Sequence, residues 1–160
     1  MVTNTEELVV VGIDGSAESL AALRWALKEG VRLEIPVEVV HCYLPQTLTD
    51  FGFSTPHELH TGSAIMVDNE VEAALKDMSQ QPEVRRCSLA GSPAKVLLER
   101  AKTASLLVLG VHGKTVLRDL ILGKVARTCL RQSPCPVVVV GLDESAVRHE
   151  TPSPVAAANG

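Results

Sequence analysis

The chain has 160 residues, of which 46% are hydrophobic and 21% are charged, and its formal net charge is -4. This composition is typical of one folded domain and excludes an intrinsically disordered chain. The acidic balance and an aromatic content of only 2% exclude nucleic acid as the main ligand. A polyanion needs a basic surface, and unpaired bases need aromatic platforms on which to stack.

The cysteines and the N-terminal residues indicate the cellular compartment in which we expect the protein. The chain has no Cys-x-x-Cys pair and no zinc-type cluster of cysteine with histidine, and its cysteines are Cys42, Cys87, Cys129 and Cys135. They predict buried free thiols in a reducing compartment. The N-terminal residues lack the basic and apolar segments of a signal peptide, and no apolar run approaches the roughly 18 residues of a membrane span. We therefore expect a cytoplasmic protein that does not act at a membrane.

The first half of the chain predicts two strands separated by a helix. The β-branched run at residues 8–13 is typical of a strand buried on both faces. A helix is predicted from the turn at residues 14–16 to Gly30, the expected glycine after its last turn. Residues 37–42 predict the second strand, and residues 43–62 a long loop.

The second half continues the alternation. The predicted helices are residues 64–78, 92–102 and 116–130, the last of which restarts near Gly123. The predicted strands that alternate with them are residues 83–89, 105–109 and Val137–Val140. Such alternation predicts a single α/β domain, residues 1–142, with a parallel sheet covered by helices on both faces. Residues 143–160 have no periodicity and are predicted to form a disordered tail.

Two glycine-containing segments follow predicted strands. One is Gly12-Ile13-Asp14-Gly15-Ser16, and the other is Gly110-Val111-His112-Gly113, with Gly123-Lys124 further along. Ligands of open parallel sheets bind at the carboxyl ends of strands, where glycines and helix N-termini can approach a phosphate. Each glycine could equally serve only a tight strand-to-helix turn. A Walker A loop at Gly113-Lys114-Thr115 is excluded because position 108 is valine.

Other polar residues have two interpretations each. Asp14 could bind a ligand or cap a helix. His112 could contact a phosphate or be an exposed turn histidine. His57 and His60 lie three residues apart in the predicted loop, but nothing nearby completes a metal site, which favours solvated histidines. We find no Ser/His/Asp order and no paired carboxylates at a strand end that would indicate a catalytic site.

Taken in order, these segments resemble the universal stress protein family over residues 6–142. The similar segments are VVGIDGS at residues 10–16, VVHC at 39–42, GSP at 91–93, VA at 125–126 and SPCPVVVV at 133–140. The most specific feature is Gly110-x-x-Gly113, followed after nine residues by Gly123.

The resemblance implies a Rossmann-like open parallel sheet of five strands, usually in a homodimer, and a nucleotide-binding branch that holds ATP. By position, Asp14 would meet the adenine–ribose side or a metal ion such as Mg²⁺, and the backbone near Cys42 would contact the adenine edge. The cofactor-binding residues that it implies are Gly12, Ile13, Asp14, Cys42, Leu109, Gly110, His112, Gly113, Gly123, Lys124 and Val125.

Lys124 departs from the family motif, which has a hydroxyl residue there. It could bind an outer phosphate or another anion, or extend into solvent away from an empty pocket. We expect a stress-response protein that binds an adenine nucleotide, ATP or alternatively AMP or cyclic AMP, and is regulatory rather than metabolic. The competing interpretations are a nucleotide-free dimeric interaction module and a weak ATPase.

Two further expectations concern the last strand and the long loop. Val137–Val140 is apolar on both faces and predicts an uncovered edge that pairs with a second copy in a homodimer, unless the strand is central or the tail covers it. Phe51 and Phe53 lie in the predicted loop 43–62. They suggest either a lid over bound nucleotide or a loop docked permanently on the domain surface.

Overall fold

Strands and helices alternate in the computed structural model, which describes residues 7–44, 48–49, 52–53, 55–111, 123–143 and 145–150. In chain order the elements are β1 (Val9–Ile13), α1 (Ala17–Leu33), β2 (Val37–Tyr43), β3 (Leu48–Thr49), β4 (Gly52–Phe53), α2 (Pro56–Leu75), β5 (Val84–Ala90), α3 (Pro93–Ala101), β6 (Leu106–Gly110), α4 (Lys124–Gln132), β7 (Val137–Val140) and β8 (Ala146–His149).

The main sheet has six strands in the order β5-β2-β1-β6-β7-β8. The pairs β5–β2, β2–β1, β1–β6 and β6–β7 are all parallel, which confirms the predicted α/β fold with five parallel strands. The sixth strand, β8, is an addition that runs antiparallel to β7. β3 and β4 form a separate two-stranded antiparallel ribbon.

Both faces of the sheet are covered, as the continuous apolar strands predicted. Along β1, Val9 and Val11 pack in the core beneath α1 and α2, whereas Val10 packs on the opposite face with residues of α3 and α4. This alternation follows from the two-residue period of a strand and explains why both sets must be apolar. Among the described residues, no helix has the length and apolar character needed to cross a membrane.

The end of α1 differs from the prediction. Gly30 lies inside the helix, which continues to Leu33, and Glu34 takes the left-handed conformation at its end (φ 57°). A Cβ atom on Gly30 would clash with the side chain of Val37. Glycine is therefore needed at this position because α1 packs closely against the start of β2, and not because it ends the helix.

The loop predicted for residues 43–62 is shorter than expected, because α2 begins at Pro56. Thr55 accepts a hydrogen bond from the N–H of Glu58 (3.2 Å), and the Glu58 carboxylate accepts one from the N–H of Thr55 (2.7 Å). This capping box and a proline in the first turn start the helix. His57 and His60 therefore lie on a helix, Phe53 lies in β4, and Phe51 is outside the described residues.

Strand β7 is not the edge of the sheet. β8 pairs with it along its whole length, from Val137 opposite His149 to Val140 opposite Ala146. The prediction of an uncovered edge is therefore wrong, as is the prediction of disorder for Ala146–His149. The sequence pattern concealed β8 because three of its four residues are exposed, so it has no clear apolar alternation.

Candidate functional site

A cleft lies beyond the carboxyl ends of β1, β2 and β6. The connections from β1 and β6 run to opposite sides, since β2 flanks β1 and β7 flanks β6. This reversal of strand order leaves a crevice, which is where ligands of open α/β sheets bind. The predicted site residues that line the cleft are Gly12, Ile13, Asp14, Cys42, Leu109, Gly110 and Val125. His112 and Gly113 lie outside the described residues.

One wall of the cleft is apolar, and the sequence patterns did not predict it. It is formed by Val40 on β2 and by Pro93 and Leu97 on α3. A Cβ atom on Gly12 would lie 2.9 Å from a methyl carbon of Leu97, so glycine at this position allows α3 to approach β1. The signal for Pro93 was present in the Ser-Pro pair that starts α3, but only the tertiary packing brings that helix start to the cleft.

A polar turn at residues 14–19 borders the cleft. The carboxylate of Asp14 accepts a hydrogen bond from the N–H of Ser16 (2.9 Å), and the N–H of Asp14 donates to the hydroxyl of Ser19 (3.2 Å). Gly15, between Asp14 and Ser16, has a positive φ of 84°. Ser16 caps α1, because its hydroxyl accepts a hydrogen bond from the N–H of Ser19 (3.2 Å). Asp14 therefore holds the turn and lines the cleft. The capping interpretation is wrong for Asp14, because the N-cap of α1 is Ser16.

Gly110 has a packing role. A Cβ atom on Gly110 would lie 2.5 Å from the backbone carbonyl of Glu18 and 2.8 Å from the backbone nitrogen of Ser19. The end of β6 thus lies against the first turn of α1. A side chain here would push the two backbones apart and change the shape of the cleft between them.

The first turn of α4 forms the facing wall. Val125 and Ala126 line the cleft, and Gly123 is the N-cap, with no side-chain hydrogen bond to the helix. The first N–H groups of a helix have no partners within the helix and carry partial positive charge. Lys124 adds a further positive charge, and no acidic residue offsets it in this turn. Gly123 and Lys124 adjoin the cleft without lining it.

His41 and Cys42 are neighbours on β2 whose side chains face opposite sides of the sheet. The Nδ1 atom of His41 lies 2.6 Å from the hydroxyl of Ser63 on α2. Burial lowers the pKa of His41, and the nearby Asp14 carboxylate opposes this shift. Both residues line the cleft, and burial raises the pKa of the Cys42 thiol to about 11. The thiol is therefore protonated at neutral pH and is a weak nucleophile.

The described residues contain no cluster of three or more His, Cys, Asp or Glu side chains that could hold a metal ion. His60 on α2 instead contacts Tyr43, whose hydroxyl lies 3.1 Å from its Nδ1 atom. Among the described residues that line the cleft, Asp14 and Glu18 are the two that carry carboxylates, and Asp14 directly follows the carboxyl end of β1. Mg²⁺ commonly binds through one or two carboxylates together with substrate phosphates, so this residue fits an ion that arrives with a nucleotide.

The sheet order and the cleft at its switch point define a doubly wound α/β domain, a class whose ligands bind in that crevice. The chain belongs to the universal stress protein family, whose family model matches residues 7–141. A universal stress protein of Mycolicibacterium smegmatis is 30% identical over 161 residues, which cover 94% of this chain and 53% of that protein. A universal stress protein of Mycobacterium tuberculosis is 28% identical over 153 residues, which cover 92% of this chain and 52% of that protein. The chain thus spans about half the length of these curated relatives.

Solved structures share the fold. A universal stress protein in complex with cAMP has a TM-score of 0.63 at 23% identity, over 86% of this chain and 98% of that chain. A family member from Arabidopsis thaliana with AMP bound has a TM-score of 0.59 at 19% identity, over 94% and 99%. The Archaeoglobus fulgidus protein in complex with dAMP has a TM-score of 0.53 at 22% identity, over 84% and 98%.

Proposed function

We propose that this chain binds an adenine nucleotide in the cleft at the carboxyl ends of β1, β2 and β6, and acts as a stress-response regulator. The observation that carries the proposal is the cleft itself, which has an apolar wall from β2 and α3 and a positively charged wall from the start of α4. A nucleotide has the same two parts, an apolar ring and an anionic phosphate. That three proteins of this fold hold cAMP, AMP or dAMP supports the proposal.

The apolar wall is the proposed base site. Val40, Leu97 and the protonated Cys42 present a surface without charge, against which a purine can lose water at little cost. Asp14 and Ser16 also line the cleft, and we propose that they meet the ribose hydroxyls. This division follows the general pattern of ligand pockets, in which a few polar groups orient a largely apolar contact.

The α4 wall is the proposed phosphate site. Its first N–H groups and Lys124 both favour an anion. The described residues enclose about 190 Å³, which is smaller than the ~300–1,000 Å³ of most small-molecule pockets. A nucleotide would therefore extend beyond this volume, past the start of α4 and Lys124. ATP, whose outer phosphates carry the most charge, is the ligand that we propose, in preference to AMP or cyclic AMP.

A magnesium ion would come with the ATP. Asp14 is the one residue of the described cleft that we propose as its ligand, with the remaining coordination from phosphate oxygens and water. Such an ion would neutralise phosphate charge next to the carboxylate. The expected consequence is that Mg²⁺ alone binds weakly and that ATP and Mg²⁺ strengthen each other's binding.

A regulatory role suits the chemistry of the cleft. The thiol of Cys42, at the proposed base site, is kept protonated, and His41, which also lines the cleft, has its Nδ1 atom in contact with the hydroxyl of Ser63. Cys42, Cys87, Cys129 and Cys135 are all free, which supports our proposal of a reducing, cytoplasmic location.

The test combines identification of bound nucleotide with matched variants. Purified protein is denatured and the released nucleotide is identified by mass spectrometry, and affinities for ATP, AMP, cyclic AMP and adenosine are measured by calorimetry with and without Mg²⁺. Val125→Asp places a negative charge on the phosphate wall, and Val125→Asn is a control of similar shape. An acidic residue is favourable in a helix first turn, so the Asp variant is expected to fold.

We expect Val125→Asp to weaken ATP binding at least tenfold relative to Val125→Asn, with little difference for adenosine. Equal losses in both variants would contradict a phosphate at this wall. No released nucleotide, together with no thermal stabilisation by ATP and Mg²⁺, would instead support a nucleotide-free interaction module. Steady release of inorganic phosphate that Val125→Asp abolishes would support a weak ATPase.

A further inference from the structure

Glu38 is a buried carboxylate in an otherwise apolar part of β2. It lies between Val37 and Val39 in the strand and is only 5% exposed. Of the polar residues that are buried in the described part of the chain, Glu38 alone has a carboxyl group. Taking a carboxylate out of water is unfavourable, and a buried one needs a charged partner. We therefore looked for what surrounds it.

Two groups on neighbouring elements contact this carboxylate. The Nε atom of Arg100, in the last turn of α3, lies 3.2 Å from the Oε1 atom of Glu38. The thiol of Cys87 on β5 donates to the same oxygen over 3.6 Å. Burial, with the Glu38 carboxylate as a further cause, raises the pKa of the Cys87 thiol, so the thiol carries the proton that this contact needs. The carboxylate thus joins α3, β2 and β5.

The ion pair adjoins the apolar wall of the cleft. Glu38, Val40 and Cys42 alternate along β2 and therefore share one face of the sheet, and the latter two line the cleft. On α3, Leu97 lies about one turn before Arg100, and it also lines the cleft. One step along the same face of the strand and one turn of the helix thus separate the ion pair from the wall.

Polar contacts fix α3 to the sheet at both of its ends. Before the helix starts, the N–H of Gly91 donates to the carbonyl of Tyr43 (2.9 Å). In its last turn, Arg100 pairs with Glu38. Between these two points α3 packs through apolar side chains such as Leu97. Apolar contacts are not directional, so by themselves they leave a nine-residue helix free to shift over the strands.

Stability alone does not explain a charge at this position. The attraction within a buried ion pair only partly offsets its desolvation, and apolar residues of similar volume often give an equally stable fold. What a buried pair can add is the selection of one arrangement of the packed elements. A valine or methionine at position 38 would continue the apolar strand without that selection.

We propose that Glu38 and Arg100 are positioning residues, which fix α3 over β2 and thereby hold Leu97 opposite Val40 at the spacing that selects the base. This inference rests on the proposed function, in which the apolar wall holds adenine. A purine is rigid, so a wall that shifts by a fraction of an ångström contacts it less well and distinguishes it less sharply from another base.

Replacement of the pair by apolar residues separates positioning from stability. The double variant Glu38→Met with Arg100→Met removes both charges and keeps long side chains. In the control, Glu99→Gln with Lys102→Gln removes an exposed ion pair (2.7 Å) at the end of the same helix. Glu38→Gln keeps an oxygen that Arg100 can contact. Urea unfolding, calorimetry with adenosine, ATP and GTP, and alkylation of Cys42 compare these variants with the unchanged chain.

We expect the double methionine variant to be at least as stable as the unchanged chain. It should bind adenosine roughly tenfold more weakly and lose about tenfold of the preference for ATP over GTP, because small displacements of positioning groups are costly. The control should keep both values within about twofold, and Glu38→Gln should lie closer to the unchanged chain than to the double variant. A folded double variant with unchanged affinity and preference would overturn the proposal. Complete unfolding would make the pair a requirement of the fold and would also overturn it.

Alkylation of Cys42 without nucleotide tests the positioning of α3 separately from the proposed function. A shifted α3 opens the wall, so Cys42 should be alkylated several-fold faster in the double methionine variant and at an unchanged rate in the control. Peptide mass spectrometry separates Cys42 from Cys87. If the unchanged chain binds neither adenosine nor ATP, the proposed function fails, while faster alkylation in the double variant still supports the positioning of α3. Equal rates in the unchanged chain and the folded double variant would overturn it.

Discussion

The imidazole of His41 is joined to the hydroxyl of Ser63 by a 2.6 Å contact between Nδ1 and Oγ. Ser63 is buried in the second turn of α2, and His41 lies directly opposite Ile13, the last residue of β1. This contact connects α2 to the sheet at the strand ends that border the cleft. It also places a titratable ring one residue from the Asp14 turn.

The His41 contact should make stability depend on pH. Burial lowers the pKa of His41 in the folded chain below its ordinary value near 6.5, against the opposing effect of Asp14. The unfolded chain then binds more protons than the folded chain between those two pKa values. We expect the free energy of unfolding to decrease as pH falls from about 6.5 through the folded pKa. Urea unfolding of the native chain and His41→Asn, a non-titrating control that can still bond to Ser63, measures the effect; parallel pH profiles would contradict it.

Gly110 should be intolerant of any side chain. In Gly110→Ala the new methyl would meet the backbone of Glu18 and Ser19, which cannot move as a side chain can. We expect a loss of about 1–3 kcal/mol in the free energy of unfolding, typical of overpacking. Gly62→Ala is the control, because this helical glycine has no atom within 4 Å of the added carbon, and it should stabilise the chain by about 0.5–1 kcal/mol. Similar effects at the two sites would contradict this account of β6 and α1.

Lys124 should have opposite effects on stability and on binding. As a cation in the first turn of α4 it opposes the helix dipole, so Lys124→Ser should raise the free energy of unfolding by about 0.3–1 kcal/mol. If Lys124 contacts phosphate, Lys124→Ala and Lys124→Ser should both weaken ATP binding. Added salt should then reduce the difference from the native chain. Denaturant unfolding and calorimetry at two salt concentrations measure these effects, and tighter binding in both variants would show that the lysine obstructs the cleft.

Cys42 should react slowly with thiol reagents. With a thiol pKa of about 11, its thiolate fraction at pH 8 is roughly 100-fold below that of an ordinary cysteine. We expect its alkylation rate, followed by peptide mass spectrometry, to be lower by a similar factor than in the unfolded chain. Bound nucleotide should lower the rate further by covering the thiol. A rate that is equal in the folded and unfolded chain would show that the cleft does not bury this group.

Local sequence patterns were enough to predict the alternation of strands and helices and the five parallel strands. Those features depend on local signals, such as the continuous apolar run of β1 and the Ser-Pro start of α3, which act within a few residues. The sequence also indicated the strand ends that would face a ligand, since the topology of an open parallel sheet restricts where a crevice can lie. Gly12 and Gly110 were identified as candidate site residues. The sequence did not show that Leu97 and the backbone of Glu18 leave no room for a side chain at these two positions.

The features that could not be predicted depend on contacts between distant segments of the chain. The apolar wall of Val40 and Leu97 exists only because α3 packs over β2, and the need for glycine at position 110 comes from the backbone of Glu18, ninety-two residues earlier in the sequence. β8 was missed because its stability comes from β7, whose unpaired backbone groups need partners, rather than from its own residues. Local propensity cannot report such a pairing, because its favourable free energy arises between two strands and not within either of them.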